Sequence, residues 1–204
     1  TTQPTTQPTT QPFAAPSSIP TSVPTLDCIA GVYQLTSPDG TLQKPQPCPL
    51  GTASSLPCAP DIVYCEPCAP GLFSGAQLGA TNCTLCPAGT FSSRMGAILP
   101  SSCNLCPPGS YSLAGSTVCI PCDEGTYTDE NGSSVCKRCA FGHFSVKGSS
   151  SCYPCPPGTF SSGTQGMCEP CAPGSYAPDE AMSRCLPCDD GQVTPIFGAT
   201  NCSA

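Results

Sequence analysis

The chain has little with which to build a conventional core. It has no tryptophan, its aromatic residues amount to 6%, and only 9% of its residues carry charge. Packing of large side chains therefore cannot offset the conformational entropy of ordering 204 residues. Six Lys and Arg residues in a chain of formal charge −7 give no cationic surface for phosphates, so nucleic acid is not an expected partner. No apolar run approaches the roughly 20 residues that span a bilayer. Direct membrane insertion is not expected, and any anchor is expected on another chain or an absent segment. The single histidine, His143, lies beside Gly142 with no regular acidic or nucleophilic partner, and no Ser-His-Asp set, Walker loop or carboxylate pair can be assembled. Neither an enzymatic activity nor a cofactor is expected.

What the chain does have is 20 Cys, 27 Pro and 20 Gly. A cysteine content near a tenth marks a disulfide scaffold, in which covalent staples replace a large core. An even count lets every cysteine pair, and disulfides persist in oxidising compartments, so an extracellular or cell-surface location is expected. The chain begins at Thr1 without Met and shows no signal peptide, as a mature or excised segment would.

Residues 1–24 form a tetrapeptide array, with Pro4, Pro8, Pro12, Pro16, Pro20 and Pro24 four residues apart. Three TTQP copies are followed by FAAP, SSIP and TSVP. Each proline fixes its own φ and pushes the preceding residue to extended geometry, so a polyproline II tail of up to about 75 Å is expected. A four-residue period on a three-residue helix turns successive copies by about 120°, which spreads the hydroxyls around the axis. Thr1, Thr2, Thr5, Thr6, Thr9, Thr10, Ser17, Ser18, Thr21 and Ser22 are candidate O-glycosylation sites.

Residues 25–64 read as an irregular cysteine-rich opening region, and residues 65–204 as tandem cysteine-rich repeats. The repeats carry C-x-x-C pairs at Cys65/Cys68, Cys83/Cys86, Cys103/Cys106, Cys119/Cys122, Cys136/Cys139, Cys152/Cys155, Cys168/Cys171 and Cys185/Cys188, and then Cys202 alone. Three residues after the second cysteine of each pair stands a glycine, from Gly71 to Gly191. Five residues after it stands an aromatic, from Phe73 to Tyr176, with Val193 in the last copy. A period of 16 to 20 residues defines a quasi-one-dimensional repeat protein. Each copy is expected to turn at Pro-Gly, run briefly extended with its ring over the neighbouring disulfide, and return through a Gly/Ser/Thr bend. The expected fold is a small disulfide-rich ladder of loops and short β-ribbons with little helix.

A C-x-x-C pair could close on itself or belong to two loops. The second scheme closes each loop, at roughly 3 kcal/mol for about 15 residues. The chain end favours it, because Cys202 follows Gly198-Ala199-Thr200-Asn201 much as Cys83 follows Gly79-Ala80-Thr81-Asn82, yet has no partner three residues on. The expected pairs are Cys68–Cys83, Cys86–Cys103, Cys106–Cys119, Cys122–Cys136, Cys139–Cys152, Cys155–Cys168, Cys171–Cys185 and Cys188–Cys202. Cys28, Cys48, Cys58 and Cys65 allow three pairings, of which Cys28–Cys48 with Cys58–Cys65 is expected. Zinc-ribbon spacing is approached, but the unpaired closing cysteine and the missing His ligands argue against a metal. Asp123, Glu124, Asp129, Glu130 and Asn131 crowd one copy without EF-hand spacing and read as solvated turn residues. Asn82, Asn131 and Asn201 head N-glycosylation sequons.

The phrase C-x-P-G-[TS]-[FY]-S followed by C-x-x-C, as at 106–122 and 155–171, resembles the ephrin-receptor-like cysteine-rich repeat, kin to the first half of a tumour necrosis factor receptor module. The resemblance spans about residues 65–202 and implies fold more than function. The Thr/Pro array joined to such repeats resembles algal or protist surface glycoproteins, including flagellar-hair and glycan-coated fibril proteins. The expected function is a structural subunit of a glycosylated extracellular fibril or appendage, a homo-oligomer assembling head-to-tail through its tail. The alternative is a receptor-type ligand-binding stalk, for which Gly96-Ala97-Ile98-Leu99-Pro100 is the apolar candidate.

Overall fold

The computed structural model describes residues 29–203, so the tetrapeptide array and Cys28 lie outside the described residues. Regular structure consists of two-residue strands and two single 3₁₀ turns, with no α-helix among the described residues. Among the described residues the strands pair antiparallel in nine two-stranded ribbons, and nine disulfides between described cysteines follow one another. The architecture is the expected disulfide-rich ladder.

The unit closed by Cys155–Cys168 shows how the sequence makes each step. After the Pro156-Pro157 turn the backbone passes through Gly158 at φ 84°, which an L-residue adopts only at a cost. Thr159–Phe160 then pairs with Glu169–Pro170, the two residues between the next pair of cysteines. Proline is tolerated there because a two-stranded ribbon consists only of edges. The Thr159 hydroxyl donates to the Pro156 carbonyl at 2.7 Å. Thr52, Thr90, Ser110, Thr126 and Ser175 make the same bond, which is why a hydroxyl follows the glycine so regularly.

Units are joined by backbone hydrogen bonds. Gly158 N donates to Ala177 O of the next unit at 2.7 Å, and Ser161 N donates to Met182 O at 3.1 Å. In return Cys171 N donates to Gly158 O at 2.9 Å, and Ala181 N donates to Cys155 O at 2.8 Å. The pattern recurs from Gly31 onward, and among the described residues these bonds join only neighbouring units. Backbone bonding is thus nearest-neighbour, as in a linear repeat array, while the close approach at the glycines reaches one unit further.

The core is a column of cystine and small residues. Cys48, Cys68, Cys86, Cys106, Cys122, Cys155 and Cys171, which open their loops, are fully buried or nearly so. Beside them Ser92, Ser112, Thr128, Ser145, Ser161 and Ala177, each six residues past an opening cysteine, are also fully buried. Their hydroxyls are satisfied: Ser112 Oγ donates to Thr90 O and Ser145 Oγ to Thr126 O, each at 2.9 Å in the preceding unit. The aromatics, expected over the disulfides, are only half-buried on the ribbons. The inner position is too close to the neighbouring backbone for anything larger than Thr.

All eight pairs expected from the closing Cys202 are present, with Cα–Cα distances of 5.6 to 5.8 Å. The opening region differs from expectation. Cys48 bonds Cys65 at a Cα–Cα distance of 5.5 Å, which excludes both Cys28–Cys48 and Cys58–Cys65. The reason lies in the ribbon. Thr52–Ala53 pairs with Glu66–Pro67, so Cys48 opens an ordinary unit and Cys65 closes it. Cys58, itself disulfide-bonded, lies ten residues past the opening cysteine with φ 42°, the bend position that Gly96 fills in the equally long Cys86–Cys103 loop.

Two glycine-slot substitutions test the junction in opposite directions. Ala181 has φ 57° at a bend where other units place Gly115, Gly132, Gly148 and Gly198. Ala181→Gly should stabilise by up to about 1 kcal/mol, the left-handed cost of roughly 1–2 kcal/mol less the added freedom of the unfolded chain. A Cβ at Gly158 would collide with the Gly198 carbonyl oxygen two units on, whereas one at Gly191 meets nothing within 4 Å. Gly158→Ala should therefore destabilise by more than about 2 kcal/mol and Gly191→Ala by about 1 kcal/mol. Guanidinium unfolding with the disulfides intact measures all three, and equal losses at Gly158 and Gly191 would refute the close approach.

Candidate interaction surface and modification sites

Among the described residues no cysteine is free. Both sulfurs of each C-x-x-C pair are bonded to flanking loops, so the zinc-ribbon arrangement is displaced by disulfides. No group of three His, Cys, Asp or Glu among the described residues is placed to hold a metal. His143 lies in a ribbon opposite Pro154, its Nδ1 3.1 Å from the Phe141 carbonyl oxygen.

The acidic cluster is organised by a lysine. Lys137 Nζ donates to Asp129 Oδ1 at 3.1 Å and to Glu130 Oε1 at 3.0 Å. The hydrogen bond from Lys137 holds the Asp129 carboxyl below its ordinary range. The bonds to Glu130 and then Asp129 hold the lysine above its own. All three side chains are solvent-exposed, where such pairs add little stability.

The sequon asparagines are all exposed. Asn82 and Asn201 each precede a closing cysteine, and Asn131 precedes the bend at Gly132. The candidate O-glycosylation residues, Thr1 to Ser22, lie outside the described residues.

Of the two apolar loops, the one singled out by sequence is partly structural. Gly96 N donates to Cys68 O at 2.7 Å and Ser74 N to Ala97 O at 3.0 Å, so 96–97 is an ordinary junction bend. Ala97 is accordingly buried against the preceding unit, bridging Phe73. Leu99 and Pro100, at the start of the 3₁₀ turn Pro100–Ser102, are exposed, and Ile98 is half-buried.

A second apolar surface, which sequence reasoning missed, lies in the loop around Cys58. Asp61 accepts from Val63 N at 3.1 Å and caps the 3₁₀ turn Ile62–Tyr64. Leu56 and Ile62 to Tyr64 stay 44 to 72% exposed. Leu56 and Tyr64 line a groove of about 380 Å³ whose other walls include Pro67, Leu72 and Asn82. A signal was available: the cysteine at 58 falls too early to close a loop, and the run after Asp61 is apolar without a bend.

Residues 109–151 and 158–204 match the family described as tyrosine-protein kinase ephrin type A/B receptor-like. A mouse (Mus musculus) protein, sushi, von Willebrand factor type A, EGF and pentraxin domain-containing protein 1, is 36% identical over 95 residues, or 46% of this chain. The chain spans about 2% of the length of that relative. With the disulfide ladder, these similarities support a cysteine-rich repeat protein of extracellular type, secreted or at a cell surface. Among the described residues no helix is long and apolar enough to cross a membrane.

The two apolar loops should respond differently to substitution. Ala97→Leu overfills a junction and should cost about 1–3 kcal/mol. Val63→Ser, on an exposed turn, should stay within about 0.5 kcal/mol of the parent. Thermal unfolding of the two variants checks the contrast. A large loss at Val63 would mean that the turn Ile62–Tyr64 belongs to the ladder's core.

Proposed function

We propose that the protein is a structural subunit of a glycosylated extracellular fibril or surface appendage, assembling head-to-tail through its N-terminal tail. The observation that carries this reading is the junction. Each unit is tied to the next by backbone bonds and to itself by a disulfide, so the ladder resists bending without a globular core. Such a scaffold suits load-bearing and spacing. The tail supplies a second element of different chemistry, and a contact between unlike surfaces that does not close on itself propagates a filament.

Glycans supply the solubility that 9% charged residues do not. Asn82, Asn131 and Asn201 are the N-linked sites of this reading, and the hydroxyls from Thr1 to Ser22 the O-linked ones. Cys83 and Cys202 occupy the middle of two sequons and are held in disulfides. Attachment at Asn82 and Asn201 therefore competes with loop closure, and Asn131 is the site of highest occupancy.

A receptor-type ligand-binding stalk is the second reading. It is favoured by the receptor-like description of the matched family and by the exposed groove at Leu56 and Tyr64.

Negative-stain micrographs of native material, with intact-mass measurement before and after glycosidase treatment, test the leading reading. The expected outcome is filaments and a mass well above that of the polypeptide, with Asn131→Gln removing the largest N-linked share. Dispersed, unmodified monomers would favour the stalk.

A further inference from the structure

The groove beside Tyr64 brings an aromatic, a proline and two leucines together at the surface, with Leu56, Tyr64 and Pro67 exposed and Leu72 half-buried. A volume of about 380 Å³ falls at the lower end of the 300–1,000 Å³ range of ligand pockets. A groove that sets one aromatic ring among polar groups, as Tyr64 stands among Ser54, Ser55, Glu66 and Asn82, suits an extended, proline-containing segment, whose preformed polyproline II geometry loses little entropy on docking.

The chain itself supplies such a segment. Of the six tetrapeptide copies in 1–24, Phe13-Ala14-Ala15-Pro16 alone has no hydroxyl. It is the copy that stays bare when its neighbours carry O-linked sugars, and it holds the array's aromatic residue. The described residues begin at Ile29, whose carbonyl accepts from Cys58 N at 3.3 Å within the groove-bearing loop. The polyproline II geometry expected of the array would span roughly 50 Å between Phe13 and Ile29, at ~3.1 Å per residue, a reach that suffices for the groove of another molecule.

We propose that Phe13-Ala14-Ala15-Pro16 of one copy docks in the groove formed by Leu56, Tyr64, Pro67 and Leu72 of a neighbouring copy. Phe13 enters beside Leu56 and Leu72, and Pro16 stacks on Tyr64. The polar rim at Glu66 and Asn82 remains in solvent. This assignment rests on the filament reading, for which it names the joint.

The test uses the full chain carrying Phe13→Ser, which disables its own tail, and a fluorescent synthetic peptide of residues 9–20. Fluorescence anisotropy should show saturable binding. Tyr64→Ala in the chain, or Phe13→Ser in the peptide, should weaken it at least tenfold, whereas Val63→Ser outside the groove leaves it unchanged. Electron microscopy of the otherwise unaltered chain with Tyr64→Ala should show short or no filaments. Equal affinity with and without Tyr64 overturns the docking site. Filaments that persist in Tyr64→Ala overturn the joint and leave the filament reading intact. Peptide binding through Tyr64 by a protein that remains monomeric supports recognition of the segment by the groove and removes the filament reading. Circular dichroism of each variant, matching the parent, separates lost binding from lost folding.

Discussion

The rest of the structure depends on a missing Cβ. At Gly158 and its counterparts the backbone carbonyl of a bend two units away comes within the volume that any other residue would fill. The same glycine donates its N–H to the next unit's carbonyl and accepts from the N–H of the next unit's opening cysteine. Disulfides alone would make a string of closed loops. The glycine converts them into a stack with a defined register, because one residue bonds the adjacent unit and lets the unit beyond it close in.

Once the backbones are that close, the composition of the core follows. Only cystine sulfur, Ser, Thr or Ala fits the space, as at Cys155, Ser161 and Ala177. A buried hydroxyl is acceptable there because the preceding unit presents a carbonyl to it, as Thr126 does to Ser145. This accounts for a fold with no tryptophan and half-buried aromatic rings. Dispersion and hydrophobic burial are supplied in small portions along a column, and loop closure by disulfides reduces the entropy that each portion must offset.

Much of this was legible in the sequence, and the boundary of what was legible has a physical meaning. The eight disulfides from Cys68 to Cys202 followed from one unpartnered closer, because a strictly periodic chain repeats the same local solution. The ribbon positions followed from the glycine and the aromatic two residues after it. The burial of Ser145 or Ser161 was less legible: a small polar residue looks alike on a surface and in a crowded core, and only the inter-unit spacing separates them. Cys48–Cys65 was misread because linear spacing counts every cysteine, whereas the ribbon between Thr52–Ala53 and Glu66–Pro67 identifies which cysteine closes the loop. The groove at Tyr64 was missed for the same reason, since the extra cysteine at the bend position, where Gly96 stands in the matching loop, hides the periodicity around it.

That coincidence bears on where such a protein can hold specificity. In the stack every junction makes similar demands, so residues near Gly158, Ala97 or Ala59 are held by packing. Freedom exists where a loop runs on between its junction bend and its closing cysteine. The segment from Asp61 to Tyr64 is such a stretch: the Asp61 cap holds its turn in shape, while Leu56 and Tyr64 remain exposed outside the column. The same stretch recurs as the Pro100–Ser102 turn of the Cys86–Cys103 loop, where Leu99 is exposed. Apolar side chains can be presented there at little cost to the ladder.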